Sequence, residues 1–167
     1  MQKLNLAVVI GGKSPEHAIS LRSGRSIIDA LDKNKYDISV IGIDKNGTWY
    51  LQDINDYLLD ADDNKNIRLK PSEIPVLLDT DGENAILYDR KHHKNIKQID
   101  IVFPAMHGAY GEDGVVQGHF RSTNVAFVGV DLMTSAVGMD KDIAKRLWRD
   151  AGIPIADFIV IDHGNKS

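Results

Sequence analysis

The chain has 167 residues, 43% of them hydrophobic and 26% charged, with a formal net charge of -4. That length allows one well-packed domain with part of a second, and the mild acidity supplies no field that favours nucleic acid or an anionic membrane. The absence of cysteine excludes disulfides and thiolate metal sites and suits a reducing cytoplasm.

No secretory pattern opens the chain: the apolar run at residues 6–11 is six residues long and a polar segment follows. Nothing approaches the roughly 20 apolar residues that cross a bilayer. The expectation is a cytoplasmic protein without membrane contact.

Residues 4–10 form an apolar run rich in β-branched side chains, which predicts a strand buried on both faces. Gly11 and Gly12 end it, and apolar residues then recur at Leu21, Ile27, Ile28 and Leu31 on a helical period. Residues 36–43 predict a second strand, so the first 43 residues read as a βαβ unit. Residues 44–47 (DKNG) carry a hairpin turn signal and 48–51 the returning strand. Residues 60–70 are polar and aperiodic and predict a mobile surface loop.

Residues 74–78 and 84–88 flank DTDGE and predict a second hairpin. The spacing of Asp79, Asp81 and Gly82 hints at a calcium loop, but the other ligands of such a loop are missing, and a turn explains it. His92 and His93 within RKHHK would point to opposite sides in extended structure, with no carboxylate spaced to complete a metal site, so they read as a solvated, basic hairpin end.

Residues 99–103 predict a strand ending at Pro104, and 126–129 a short one. Residues 140–151 predict a helix: Asp140 opens it, Asp142 and Arg146 form an i,i+4 pair, and Gly152 and Pro154 stop it. Residues 155–161 predict a strand with nothing to pair it before the chain reaches DHGNKS. The fold class is α/β, an open and mostly parallel sheet with helices on both faces, Rossmann-like. Residues 1–138 form the first domain and 139–167 the opening helix and strand of a truncated second.

AVVIGGKS, residues 7–14, nearly satisfies the phosphate-loop pattern, which would put Lys13 and Ser14 on phosphates and magnesium. Three of the cradle positions are Val8, Val9 and Ile10, which the periodicity assigns to a buried strand, and Pro15 removes an amide where the helix would donate one. A tight strand-to-helix turn is the better reading, with Lys13 a bystander.

Ligands of open α/β sheets bind beyond the carboxyl ends of the strands, and Glu16 and His17 fall there. Glu16 can accept hydrogen bonds from a substrate ammonium, or it can simply favour the helix dipole. In FPAMHGAYGEDGVVQGHF, residues 103–120, His107 follows another strand end at the same rim. Gly108, Gly111 and Gly114 allow close backbone approach to a ligand, and Glu112 and Asp113 are placed to start the following helix.

Three segments, GGKSPEHAISLRSG, FPAMHGAYGEDGVVQGHF and VGVDLMTSAVGMDKDIAKRLWRDAGIP, together resemble the N-terminal part of the D-alanine–D-alanine ligases of the ATP-grasp family. The related D-alanine–D-lactate and D-alanine–D-serine ligases share these motifs. The resemblance covers the chain except the variable region near residues 60–98.

It implies an ATP- and magnesium-dependent ligase of peptidoglycan synthesis, working through D-alanyl phosphate, with a homodimeric assembly. By resemblance Glu16 binds the ammonium of the first D-alanine with Ile19 beside it. His107 lies near that substrate's carboxylate, Gly108, Gly111 and Gly114 shape the pocket, and Lys141 lies near the nucleotide phosphates. The family commonly reads E-H-E-V-S where this chain has Glu16-His17-Ala18-Ile19-Ser20, so one carboxylate is absent.

The resemblance places the ATP-grasp lobes, with the metal-binding carboxylates, beyond residue 167, so the fragment alone is expected not to turn over ATP. The competing reading is a stand-alone, non-catalytic α/β module that binds a ligand or a partner.

Overall fold

The computed structural model describes residues 2–63 and 65–161. The elements in chain order are β1 (Leu4–Gly11), α1 (His17–Ala30), β2 (Tyr36–Ile43), β3 (Trp49–Gln52), β4 (Leu58–Leu59), β5 (Arg68–Leu69) and β6 (Val76–Thr80). They continue with β7 (Ala85–Asp89), β8 (Lys94–Ile99), β9 (Ile101–Pro104), α2 (Val115–Ser122), β10 (Ala126–Phe127), α3 (Leu132–Met139) and α4 (Lys141–Asp150).

The central sheet has the order β10-β9-β1-β2-β3. Its first four members run parallel and β3 closes the edge antiparallel, with Val8 opposite both Val40 and Phe103. β1 lies in the middle, and Ala7, Val8, Val9 and Ile10 are wholly buried, as a continuous apolar run requires.

Alternation along β1 feeds two cores. Leu6, Val8 and Ile10 pack with Leu21 and Ile28 of α1, joined by Tyr57 and Ile67. Ala7 and Val9 face the other way, towards Val116 and Phe120 of α2 and towards Val76, Leu78 and Leu87. The predicted open parallel sheet is present. Helices lie on both of its faces, and the second face is shared with the antiparallel sheet β6-β7-β8.

Several expectations need correction. Residues 60–70 are not a featureless loop: β4 and β5 pair across them, and Ile67 is 3% exposed against α1's side of the core. One buried apolar residue anchored a segment whose polarity hid it. The strand expected at 126–129 ends at Phe127, and beyond it only the Val128 amide still donates to the Val102 carbonyl of β9, at 2.9 Å. Residues 155–161 form no strand and pair with no strand among the described residues; Ile159 and Ile161 are 83% and 77% exposed. DHGNKS at 162–167 lies outside the described residues.

α3 was not anticipated. Asp131 caps it by accepting from the Thr134 amide. The hairpin at 79–84 is a turn as expected, with the Asp81 carboxylate accepting from the Glu83 and Asn84 amides.

The RKHHK turn is built by Asp89, whose carboxylate accepts from the amides of Lys91 and His92 and from the His92 ring at 2.7 Å. The His92 hydrogen bond, the largest cause, holds the Asp89 carboxyl below the usual carboxylate range. His92 therefore helps close the hairpin between β7 and β8, and His93 takes a positive φ of 53° in the same turn.

Gly24 marks the tightest packing between α1 and the sheet, since a side chain there would collide with the Cγ2 methyl of wholly buried Ile10. Gly24→Val should lower the unfolding free energy by about 2 kcal/mol or more, from forced overpacking. Urea denaturation checks this, and an unchanged midpoint would contradict the packing described.

Candidate functional site

The site is built where β1 and β9 end. Gly11 leaves β1 with a φ of 89°, and the next amide, Gly12, donates to the Ile43 carbonyl at 2.9 Å. A side chain at Gly11 would collide with that same carbonyl oxygen, so only glycine fits both the angle and the space. The strand thus runs through Val8, Val9 and Ile10 as the phosphate-loop objection required, and the turn begins only after it.

The turn is held from inside. His17 Nδ1 lies 2.8 Å from the Gly12 carbonyl, and because a carbonyl only accepts, Nδ1 carries the proton. Wholly buried Ser20 does more: its hydroxyl accepts from the Gly11 amide at 2.7 Å and donates to the Ala105 carbonyl at 2.6 Å. The Ala105 amide itself donates to the Val9 carbonyl at 2.8 Å. One serine therefore fastens the end of β1 to the segment after β9.

Glu16 stands at the N-cap of α1, exposed, with its amide donating to the Ser14 hydroxyl at 3.1 Å. Across from it Gly108 has a φ of 68°. A methyl group there would lie 2.6 Å from the Ser14 hydroxyl and would run into the Glu16 carboxylate. Gly108 is thus the position where the two loops meet, and any larger residue would push Glu16 away.

His107, next in sequence, shares a 2.9 Å hydrogen bond between Nε2 and the Ser23 hydroxyl, while Nδ1 lies 3.6 Å from Glu112. Ile19 is 41% exposed one turn along α1 from Glu16. Glu16, His107 and Gly108 are therefore gathered at one rim, and Ile19 follows on the next turn of α1.

The remaining candidates are placed differently. The open side of Gly111 faces Met106 and that of Gly114 faces the Leu132 carbonyl, so both shape the loop from behind. Glu112 and Asp113 serve loop amides: Glu112 accepts from Gly108, and Asp113 from Tyr110 and Val115. α2 starts only after them, with Gly114 at its N-cap.

Lys141 is exposed at the first turn of α4, which packs on α3, and it does not join the rim cluster. The amides of Asp142 and Ile143 beside it are occupied by the Asp140 carboxylate. Any phosphate contact there would rest on the lysine Nζ.

Ser20 and Ser23 were missed by sequence reasoning. Their offset of three along α1 was a usable signal, since i and i+3 share a helix face.

The rim offers an exposed carboxylate, an oriented imidazole and closely approached backbone. Such a set can pair with a small molecule that carries both a hydrogen-bond-donating cation and an anionic group. Among the described residues, no three histidine or acidic side chains stand together to hold a metal ion, and no helix is long and apolar enough to cross a membrane.

A parallel sheet with a ligand rim at its carboxyl edge defines the small-molecule-binding class of open α/β domains. The family model described as D-ala D-ala ligase N-terminus matches residues 5–130, and the chain belongs to that family.

It is 44% identical over 166 residues to D-alanine–D-alanine ligase A of Escherichia coli K12, covering 99% of this chain and 46% of that protein. The D-alanine–D-alanine ligase of Coxiella burnetii superposes with a TM-score of 0.77 at 34% identity, over 94% of this chain and 44% of the other. The Bacillus anthracis D-alanine–D-alanine ligase complexed with ATP gives 0.60 at 28% identity, over 95% and 38%. The chain thus spans about half the length of the curated relatives it matches.

Ser20→Ala leaves a buried amide and a buried carbonyl unpaired and should cost about 1–3 kcal/mol of stability. Ser26→Ala, which removes an exposed hydroxyl from the same helix, should stay within about 0.5 kcal/mol of the parent in the same urea titration. Equal losses would contradict the role given to Ser20.

Proposed function

We propose that this chain supplies the first D-alanine site of an ATP-dependent ligase that joins two D-alanines for peptidoglycan synthesis. The observation that carries the reading is the meeting of the Glu16 carboxylate with the Gly108 backbone beside His107. Family membership and the length of the matched relatives support it.

In this reading Glu16 accepts hydrogen bonds from the substrate ammonium, and its charge opposes the ammonium's at short range. His107, fixed between Ser23 and Glu112, orients the substrate carboxylate. Gly108 lets the substrate approach the backbone, and Ile19 gives the methyl group an apolar neighbour. The catalytic contribution of such a half-site is orientation, which lowers the barrier by removing the freedom of the reacting carboxylate.

When bound, ATP supplies the phosphoryl group that activates the carboxylate. Lys141 is the residue of this chain that we assign to its phosphates. Magnesium belongs to the same reading, and among the described residues no three histidine or acidic side chains stand together to hold it.

We place a boundary near residue 138: the family match ends at residue 130, and α4 buries only Ala144. Residues 139–167 then open the ATP-grasp domain. Homodimerisation in the cytoplasm belongs to the same reading.

The test is phosphate release by the full-length protein carrying this sequence, with ATP, Mg²⁺ and D-alanine. Glu16→Gln should lower kcat/KM for D-alanine by about 10- to 100-fold, the effect of removing a hydrogen bond to a charged group. An unchanged kcat/KM would contradict the role of Glu16, and no D-alanine-dependent release in the parent would contradict the activity.

A further inference from the structure

A second cleft, of about 450 Å³, opens beside the rim cluster. Gly12 and Tyr110 belong to its wall, but Glu16, Ile19 and His107 do not. Its volume falls within the range of small-molecule sites, roughly 300–1,000 Å³. Apolar side chains line its interior, with Trp49, Val76, Met106 and Val116 among them. His119 meets Trp49 edge-on at 5.5 Å, and burial pushes its imidazole pKa down, so that it adds a neutral ring.

The charges on this cleft are one-sided. Lys13 and Arg90 line it, both are exposed, and no acidic residue lines it at all. Among the described residues neither cation forms an ion pair, although lysines and arginines elsewhere on the surface do.

Lys13 also extends along one side of the cleft. Its Nζ lies 5.3 Å from the centre of the Tyr110 ring, and its stem passes so close to Gly47 that a side chain there would collide with it. An exposed lysine without an ion-pair partner, lying beside an apolar opening, is a cation available to a ligand from outside the chain.

We infer that this cleft binds a small organic anion with an apolar body. A carboxylate or phosphate head would meet Lys13 and Arg90, and an aromatic or branched body would lie against Trp49, Met106 and Val116. The inference stands apart from the D-alanine reading, because it uses none of the residues assigned to that substrate.

Nitrogen-15 NMR titration separates the two, since the chain has two tryptophans and only Trp49 lines this cleft. The probes are 3-phenylpropionate, phenyl phosphate and the neutral 3-phenylpropan-1-ol. Saturable shifts of the Trp49 indole N–H with either anion, leaving Trp148 unmoved, are expected, and the tighter anion identifies the preferred head group. The alcohol should bind about tenfold more weakly, and Lys13→Ala and Arg90→Ala should each weaken anion binding by about fivefold. Equal affinity for acid and alcohol, shifts of Trp148 as large as those of Trp49, or a silent Trp49 at millimolar probe would each overturn the inference.

Discussion

The hydroxyl of Ser20 is the contact on which the site depends. It carries one hydrogen bond to the amide that ends β1 and another to a carbonyl just past β9, in a place with no access to water. Buried polar groups of this kind have no alternative partner, so the two loops hold their relative positions or lose both bonds. Glu16 and His107 are 91 positions apart in sequence and share a rim because this strap leaves their loops no other arrangement. Gly108 then sets the separation, since its missing side chain is the space into which the Glu16 carboxylate fits.

The two faces of the sheet divide the work. α1 covers one face and presents Ser20, Ser23 and Glu16 from its first turns, so the helix that seals a core also carries half of the rim. The other face is closed by α2 with an antiparallel sheet, and there the loop between β9 and α2 is braced by the carboxylates of Glu112 and Asp113. Those acids look like helix-starting residues in sequence. In the fold they satisfy loop amides, which rigidifies the backbone that approaches the proposed substrate.

Much of this was legible before any coordinates. The run from Leu6 to Ile10 read as a strand buried on both faces, and that, with Pro15, argued against the phosphate loop suggested by Gly12-Lys13-Ser14. Glu16, His107 and Gly108 were legible because strand ends at one edge of a parallel sheet are where ligands sit. What stayed hidden depended on long-range pairing. Ile67 and Leu69 are isolated apolar residues in a polar stretch, and nothing local announces that the core reaches them. Residues 155–161 have the pattern of a strand, but a pattern makes no strand without an edge to pair with. Ser20 and Ser23 escaped notice because a serine in a helix is unremarkable until the carbonyl or imidazole it serves is in view.

Amide hydrogen exchange tests the central claim most directly, through one proton. If Ser20 straps the two loops together, the Gly11 amide exchanges as slowly as the core amides of β1. In Ser20→Ala its exchange then rises by about tenfold or more while the amides of β7 keep their protection. A Gly11 amide that exchanges as fast as the exposed turn amides, or one indifferent to the loss of the hydroxyl, would contradict the account.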